Sequence, residues 1–284
     1  MSTAGPPQGA KAPSGGSAVA SAASVGAHIP WPAEAIWEAV EPLLPGFTVE
    51  VLPRVDSTNS ELMRRARLGQ ADPVLLVTQE QTAGRGRLGR QWQSQAGDSL
   101  TFSLGLSLAP ADWAGLSLAV GVCLADALHP DIRLKWPNDL WLADRKLGGI
   151  LIETASSAAT GQGNRRYAVV GVGINVAPRA PEGLSTPPAA LRELLPGIYA
   201  PQAMLAIAEP LVRTLQAFEA FGFAPFQARF NARDALRERA VALSDGTAGS
   251  AHGVSETGAL LVHTAHGMHA VTSSEVSVRP SASA

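Results

Sequence analysis

The sequence predicts an α+β protein, a mixed β-sheet carrying helices followed by a small all-β unit, and two observations predict it. From about residue 49 to 176, strand-like runs follow one another with only occasional helical stretches, unlike strict strand–helix alternation. Beyond residue 236 the character changes to short β-prone runs cut by Gly, Ser and Asp, the spacing of a small barrel or sandwich. The 284 residues, 46% of them hydrophobic, hold enough apolar surface for a real core.

Three units are expected in order: a tail over 1–29, a main domain over 30–236 and a β domain over 237–284. The tail is rich in Ala, Gly, Ser and Pro and buries too little to offset its ordering entropy, so disorder is expected there. It lacks the basic stretch and continuous apolar run of a signal peptide. "WPAEAIWEAVEPLL" starts the order, with Pro32 in the first turn of a helix. "VEVLPRVDSTNSELMRRARLG" reads as strand, turn and helix; Thr58 and Glu61 fit a capping box and Gly69 the helix end. Strands are expected at "PVLLVTQEQ", "SLTFSLGLSL", "IRLKWPN", "LWLAD", "KLGGILIETAS" and "YAVVGVGINV", with the helix "WAGLSLAVGVCLADALH" between the second and third. Helix returns from about Pro201 to Ala235.

Charge and cysteine usage exclude several function classes. A formal net charge of -2 argues against wholesale electrostatic binding of DNA or RNA, so any anion site must be local. Cys123 is the only cysteine, which rules out an intrachain disulfide and leaves thiol-ligated zinc without partners. That fits a reducing, cytoplasmic compartment, and its apolar neighbours give Cys123 a packing role. No run is long and apolar enough to span a bilayer.

Four stretches carry residues suited to chemistry. In "TAGRGRLGRQW", residues 82–92, Gly84, Gly86 and Gly89 permit close backbone approach to an anion. Arg85, Arg87 and Arg90 add forked donors matched to phosphate or carboxylate, although a solvated basic loop would look the same. In "RLKWPNDLWLADRKLGGILIE", Pro137 should end the strand bearing Lys135 and leave Asn138 and Asp139 at an edge. A hairpin turning at "ADRK" then delivers Lys146 beside Gly148 and Gly149, as a compact charge or as an ordinary turn lysine. "DSTNSEL" places Ser57, Thr58 and Asn59 at a helix start, where anions are favoured and where capping alone would also explain them. "GVGINV" sets Asn175 in an apolar strand, satisfied either by backbone or by a ligand.

Taken in this order, "DSTN", "QTAGRGRLGRQW", "KWPNDL" with "RKLGGILIE", and "GVGINV" resemble the biotin protein ligases from about residue 33 to 280. The resemblance implies a class II aminoacyl-tRNA synthetase/biotin ligase-like mixed sheet, related to lipoate ligases, plus an SH3-like barrel. It implies that ATP and biotin form biotinyl-5′-adenylate and pyrophosphate, and that biotin passes to one lysine of the biotin carboxyl carrier protein of acetyl-CoA carboxylase. Lys146, Arg87 and Arg85 would act catalytically on the converging anions. Ser57, Thr58, Asn59, Gln81, Gly84 and Gly86 would surround biotin, with Arg85, Arg87, Lys146, Gly148 and Gly149. Trp92, Asn138, Asp139 and Asn175 would lie by ATP together with Arg87 and Lys146. Mg²⁺ would come on the ATP phosphates, with no dedicated metal ligand. The arginine loop is expected to be a lid, mobile without ligand, with Arg85 and Arg87 facing the ligand and Arg90 anchoring its end.

Some members of that family carry an N-terminal DNA-binding domain; only the tail precedes the main domain here, so no repressor function is expected. Neither DNA nor membrane is an expected partner, and the chain is expected to be a monomer or homodimer. Two alternatives remain at this point: a lipoate or octanoate ligase on the same framework, and a nucleic-acid module using the arginine loop. The second is disfavoured by the net charge and by the lack of interleaved aromatics beyond Trp92.

Overall fold

A computed structural model describes residues 1–2, 30–156, 165–181, 186–272 and 278–280. The expected tail therefore lies, apart from its first two residues, outside the described residues.

The elements follow in chain order as α1 (Ala33–Val40), β1 (Thr48–Val55), α2 (Thr58–Arg67), β2 (Val74–Gln81), β3 (Gly84–Arg85), β4 (Gln91–Trp92), β5 (Ser99–Leu108) and α3 (Leu116–Leu128). Next come β6 (Arg133–Lys135), β7 (Asp139–Leu142), β8 (Arg145–Ser156), β9 (Arg166–Asn175), α4 (Ala200–Phe221) and α5 (Gln227–Arg233). The chain closes with β10 (Ala240–Leu243), β11 (Ala248–Val254), β12 (Leu260–Thr264), β13 (Gly267–Val271) and β14 (Val278–Pro280).

Seven strands form one sheet in the order β1-β2-β5-β9-β8-β7-β6. β1 and β2 are parallel and the remaining neighbours antiparallel, which makes the sheet mixed. Side-chain alternation along β2 explains why both faces are covered. Leu75 and Val77 enter the main core with Ile36 and Val40 of α1 and the apolar residues of α3 and α4. Val74 and Leu76 point the other way, onto Leu62 and Met63 of α2 and Tyr167 and Val169 of β9. Cys123 is buried in the main core on α3, and burial pushes its thiol up to about 11.

Three local expectations change. Ser57, not Thr58, caps α2: it has extended backbone and its Oγ accepts from the Ser60 N–H, while Thr58 is the first helical residue. The Thr58 hydroxyl is drawn instead into contacts with Gln81 and Ser103, which outweigh a local cap. The expected helix over 201–235 breaks at Gly222, which has φ +66°, and resumes as α5 after a short 3-10 turn. The glycine-arginine stretch contains a small hairpin, β3 with β4, whose closing turn places Leu88 at φ 56°. A left-handed leucine is uncommon and keeps its side chain 54% exposed at the tip.

The C-terminal strands form a five-stranded antiparallel sheet in the order β13-β12-β11-β10-β14. It packs tightly on the main domain: Trp136 Nε1 donates to the Gly258 carbonyl at 3.1 Å. A Cβ on Gly258 would stand 2.8 Å from the Gly115 Cα. No helix among the described residues is long and apolar enough to cross a membrane.

Candidate functional site

A cavity of about 430 Å³ opens where the start of α2, the end of β2, the β3–β4 hairpin and β7, β8 and β9 converge. Its depth comes from glycine. On β9, a Cβ at Gly171 would lie 2.0 Å from Asn59 Oδ1, and one at Gly173 would lie 2.3 Å from the Trp92 indole. Two alternate positions of one strand are thus kept bare so that Asn59 and Trp92 can rest on the sheet.

At the α2 end the polar groups form one buried network. Asn59 Nδ2 donates to the Leu151 carbonyl at 3.1 Å and to Glu153 Oε2 at 3.0 Å, which fixes its Oδ1 as the acceptor of the Ser103 hydroxyl at 2.6 Å. Ser103 Oγ also stands 2.7 Å from Thr58 Oγ1, whose own hydroxyl donates to Gln81 Oε1 at 3.2 Å. Gln81 Oε1 is then held by the Thr58 backbone N–H at 2.8 Å, and the Gln81 N–H by Ser94 Oγ at 2.7 Å.

The hairpin above carries the arginines. A Cβ at Gly84 would be 2.3 Å from the Trp92 carbonyl, so the two strands pair only with glycine there. Arg85 lines the cavity but is gripped by Glu153, with Nη2 to Oε1 at 2.9 Å and Nη1 to Oε2 at 3.3 Å. Arg87 is half-buried and its Nη1 donates toward Asn138 Oδ1 at 3.4 Å. Burial lowers its pKa from the usual arginine value, Asp139 opposes that shift, and Arg90 adds to it.

Across the cavity the "ADRK" turn is a two-residue hairpin with Ala143 at φ 47° and Asp144 at φ 59°, a geometry matched to the strand twist. It sets Lys146 on β8, whose Nζ meets Asp139 Oδ1 at 2.7 Å; the side chains are 31% and 15% exposed. Gly149 makes room for this pair, since a Cβ there would sit 3.3 Å from Nζ. Asn138 is braced by its Nδ2 on the Ile150 carbonyl at 2.7 Å.

Of the residues singled out in the sequence, Ser57, Thr58, Asn59, Gln81, Arg85, Gly86, Arg87 and Arg90 line this one cavity, with Trp92, Asn138, Asp139, Lys146 and Gly149. Gly84, Gly148 and Asn175 do not. A Cβ at Gly148 would meet the Gly173 carbonyl at 2.6 Å, so it serves strand packing. Asn175 is 1% exposed and its Nδ2 donates to the carbonyls of Lys146 and Ala189, at 3.2 and 3.0 Å. Its amide nitrogen braces the backbone of Lys146 from behind, while its Oδ1 is buried without a partner, so backbone satisfies only half of the amide.

Sequence reasoning missed Ser103, Glu153, Gly171, Gly173 and Arg179 as parts of the site, and named Lys135 only as part of a strand. Lys135 and Arg179 line the cavity; Lys135 Nζ lies 5.2 Å from the Trp141 ring centre and the Arg179 guanidinium 5.5 Å from that of Trp92. Arg85, Arg87, Arg90, Lys135, Lys146 and Arg179 thus face a single carboxylate, Asp139, among the described lining residues. Such a cavity concentrates anions.

Residues 51–175 match the family model of the biotin/lipoate A/B protein ligase family, and residues 240–279 match the biotin protein ligase C-terminal domain. The bifunctional ligase/repressor BirA of Escherichia coli (strain K12) is 37% identical over 231 residues, 77% of this chain and 70% of that protein. A biotin–[acetyl-CoA-carboxylase] ligase of Paracoccus denitrificans is 34% identical over 244 residues, 80% of this chain and 98% of that protein. The chain belongs to the biotin protein ligase family. Among solved structures of such ligases, that from Aquifex aeolicus in complex with biotin and ATP superposes with a TM-score of 0.69 at 29% identity, covering 82% of this chain and 99% of that one.

For a biotin protein ligase the donor set is chemically apt. The reaction brings a carboxylate to a polyphosphate, and fixed cations in a partly closed site are what such a meeting requires. Trp92 Nε1 is buried without a protein acceptor, which leaves a donor for a bound molecule. Mg²⁺, when bound with the nucleotide, would neutralise phosphate charge, with Asp139 and Asn138 the side-chain oxygens offered to it beside Lys146.

Proposed function

We propose that the protein activates biotin with ATP and then biotinylates one lysine of the biotin carboxyl carrier protein of acetyl-CoA carboxylase. In the first step a biotin carboxylate oxygen attacks the α-phosphorus, the new acyl–phosphate bond forms, and pyrophosphate leaves. In the second the lysine amine attacks the acyl carbon and AMP leaves. The carrying observation is the Lys146–Asp139 pair at 2.7 Å inside a cationic cavity. An ammonium has three donors, so Lys146 keeps one on Asp139 and offers the others to the carboxylate and the α-phosphate together.

Arg87, on the hairpin opposite, supplies a forked charge to the same oxygens. Asn59, Thr58 and Gln81 present a fixed polar wall suited to a small uncharged ring system such as the ureido group of biotin. Glycines 171 and 173 let Asn59 and Trp92 settle onto the sheet as walls of the ligand's cavity. A closed hairpin over the cavity would keep water from the mixed anhydride until the carrier lysine arrives.

The test is biotin-dependent exchange of labelled pyrophosphate into ATP. Exchange with biotin and none with lipoate supports the reading; exchange with lipoate alone moves the protein to the lipoate ligases, and no exchange with either removes the activation step.

A further inference from the structure

We propose that Arg179 is a phosphate-binding residue of the nucleotide site, oriented for that task by Trp92. The proposal rests on the ATP reading above and goes beyond it in assigning a residue that none of the sequence motifs contains.

Arg179 lies where the chain leaves β9 and runs along the cavity wall. Two contacts fix its head group. The guanidinium carbon sits 5.5 Å from the centre of the Trp92 ring, and Nη1 donates to the Gln93 carbonyl at 3.1 Å. The Trp92 ring packs directly against the bare Gly173. A guanidinium held over an indole and on a backbone carbonyl is pre-oriented, so less side-chain freedom is lost when a ligand arrives.

What this arrangement lacks is an acceptor. Arg179 Nε and Trp92 Nε1 are both buried, and neither has a hydrogen-bond partner. The other cations differ: Arg85 is paired with Glu153 and Lys146 with Asp139. Among the described residues no carboxylate forms an ion pair with Arg179. Burial lowers its pKa from the usual arginine value, the mark of a charge held out of water without compensation. Buried N–H donors seldom go unmet in a finished structure.

Two such donors on neighbouring side chains, one of them charged, in a wall shared with Arg87 and Lys146, fit an anion with several acceptor oxygens. Biotin brings a single carboxylate, which Lys146 and Arg87 already address. A phosphate group supplies the additional oxygens and matches the guanidinium fork.

Two variants test this. Arg179→Gln removes the charge and the fork while keeping an uncharged polar group at the level of Nε, and Arg179→Lys keeps the charge without the fork or Nε. In the biotin-dependent exchange assay, Arg179→Gln should raise KM for ATP about tenfold or more, as expected for loss of a charge-assisted hydrogen bond. KM for biotin should stay within about twofold, and Arg179→Lys should fall between wild type and Arg179→Gln. Product inhibition by pyrophosphate, and transfer from purified biotinyl-adenylate to the carrier, locate the phosphate. Weaker inhibition with normal transfer places Arg179 on the leaving pyrophosphate; normal inhibition with slower transfer places it on the α-phosphate. An unchanged KM for ATP, or equal rises in both KM values with a lowered melting temperature, overturns the proposal. Wild-type protein without biotin-dependent exchange instead defeats the activation reading.

Discussion

Arg85 of the β3–β4 hairpin holds both carboxylate oxygens of Glu153 on β8, at 2.9 and 3.3 Å, and Glu153 Oε2 also accepts from Asn59 at 3.0 Å. The hairpin is thereby tied to the same carboxylate that orders the cavity floor. Arg85 is 48% exposed, so this pair contributes at most about 1 kcal/mol to global stability. Its effect is local. Glu153→Gln should leave the melting temperature nearly unchanged and speed protease cleavage within 82–92 in the absence of ligand. Limited proteolysis followed by mass spectrometry checks this; an unchanged cleavage rate would show that the tether does not hold the hairpin.

Lys146→Ala should lower the rate of adenylate formation by about 100- to 1,000-fold, the loss usual when an electrostatic stabiliser leaves a closed site. Lys146→Arg should not rescue it, because a planar fork does not replace a compact ammonium beside Asp139. Asp139→Asn keeps a polar partner for Nζ and should cost less than Lys146→Ala. Pre-steady-state adenylate yield is the measurement, and equal rates for wild type and Lys146→Ala would remove Lys146 from the chemistry.

Gly173→Val places a side chain where a Cβ alone would meet the Trp92 ring at 2.3 Å. Overpacking of this kind costs about 1–3 kcal/mol, and here it should also raise KM for ATP more than KM for biotin by displacing the indole. Denaturant titration and the two KM values read the effects separately. A stable variant with unaltered KM for ATP would show that the indole position is irrelevant to the nucleotide.

Asp234, at the join between α5 and the C-terminal sheet, is 9% exposed and its Oδ2 has no partner. Burial pushes its carboxyl up to about 6, against smaller lowering influences from the Leu236 N–H and Arg237. Because the folded value lies above the unfolded one, the protonated side chain's stabilising contribution is complete below about 3.8 and is lost as pH rises through about 6. Above that the buried anion weighs on the fold, by roughly 3 kcal/mol for such a shift. Asp234→Asn should therefore gain stability over wild type as pH rises from 5 to 7.5. Paired melting curves measure it, and a gap independent of pH would contradict the assignment.

Much of this site is legible locally. Lys146, Asp139 and Gly149 follow from one hairpin whose turn, breaker and small residues are written in a single stretch. The bare strand of "GVGINV" also carried a signal in its alternating glycines, whose spacing keeps one face of a strand clear. Glu153, Ser103 and Arg179 carried none. Each acts through partners brought from elsewhere in the chain, as Glu153 does with Arg85 and Asn59. Thr58 fitted a cap by local rules and was claimed by Gln81 and Ser103, a tertiary contact that local pattern does not encode.

The central claim is that Lys146 and its surrounding cations activate biotin for transfer to a carrier lysine. Incubating the protein with biotin, Mg-ATP and a biotin carboxyl carrier domain, and weighing the carrier by mass spectrometry, tests it most directly. The expected result is one biotinyl group on one lysine, dependent on ATP and absent with Lys146→Ala. A carrier whose mass does not change with wild-type protein, or changes equally with Lys146→Ala, would contradict the account.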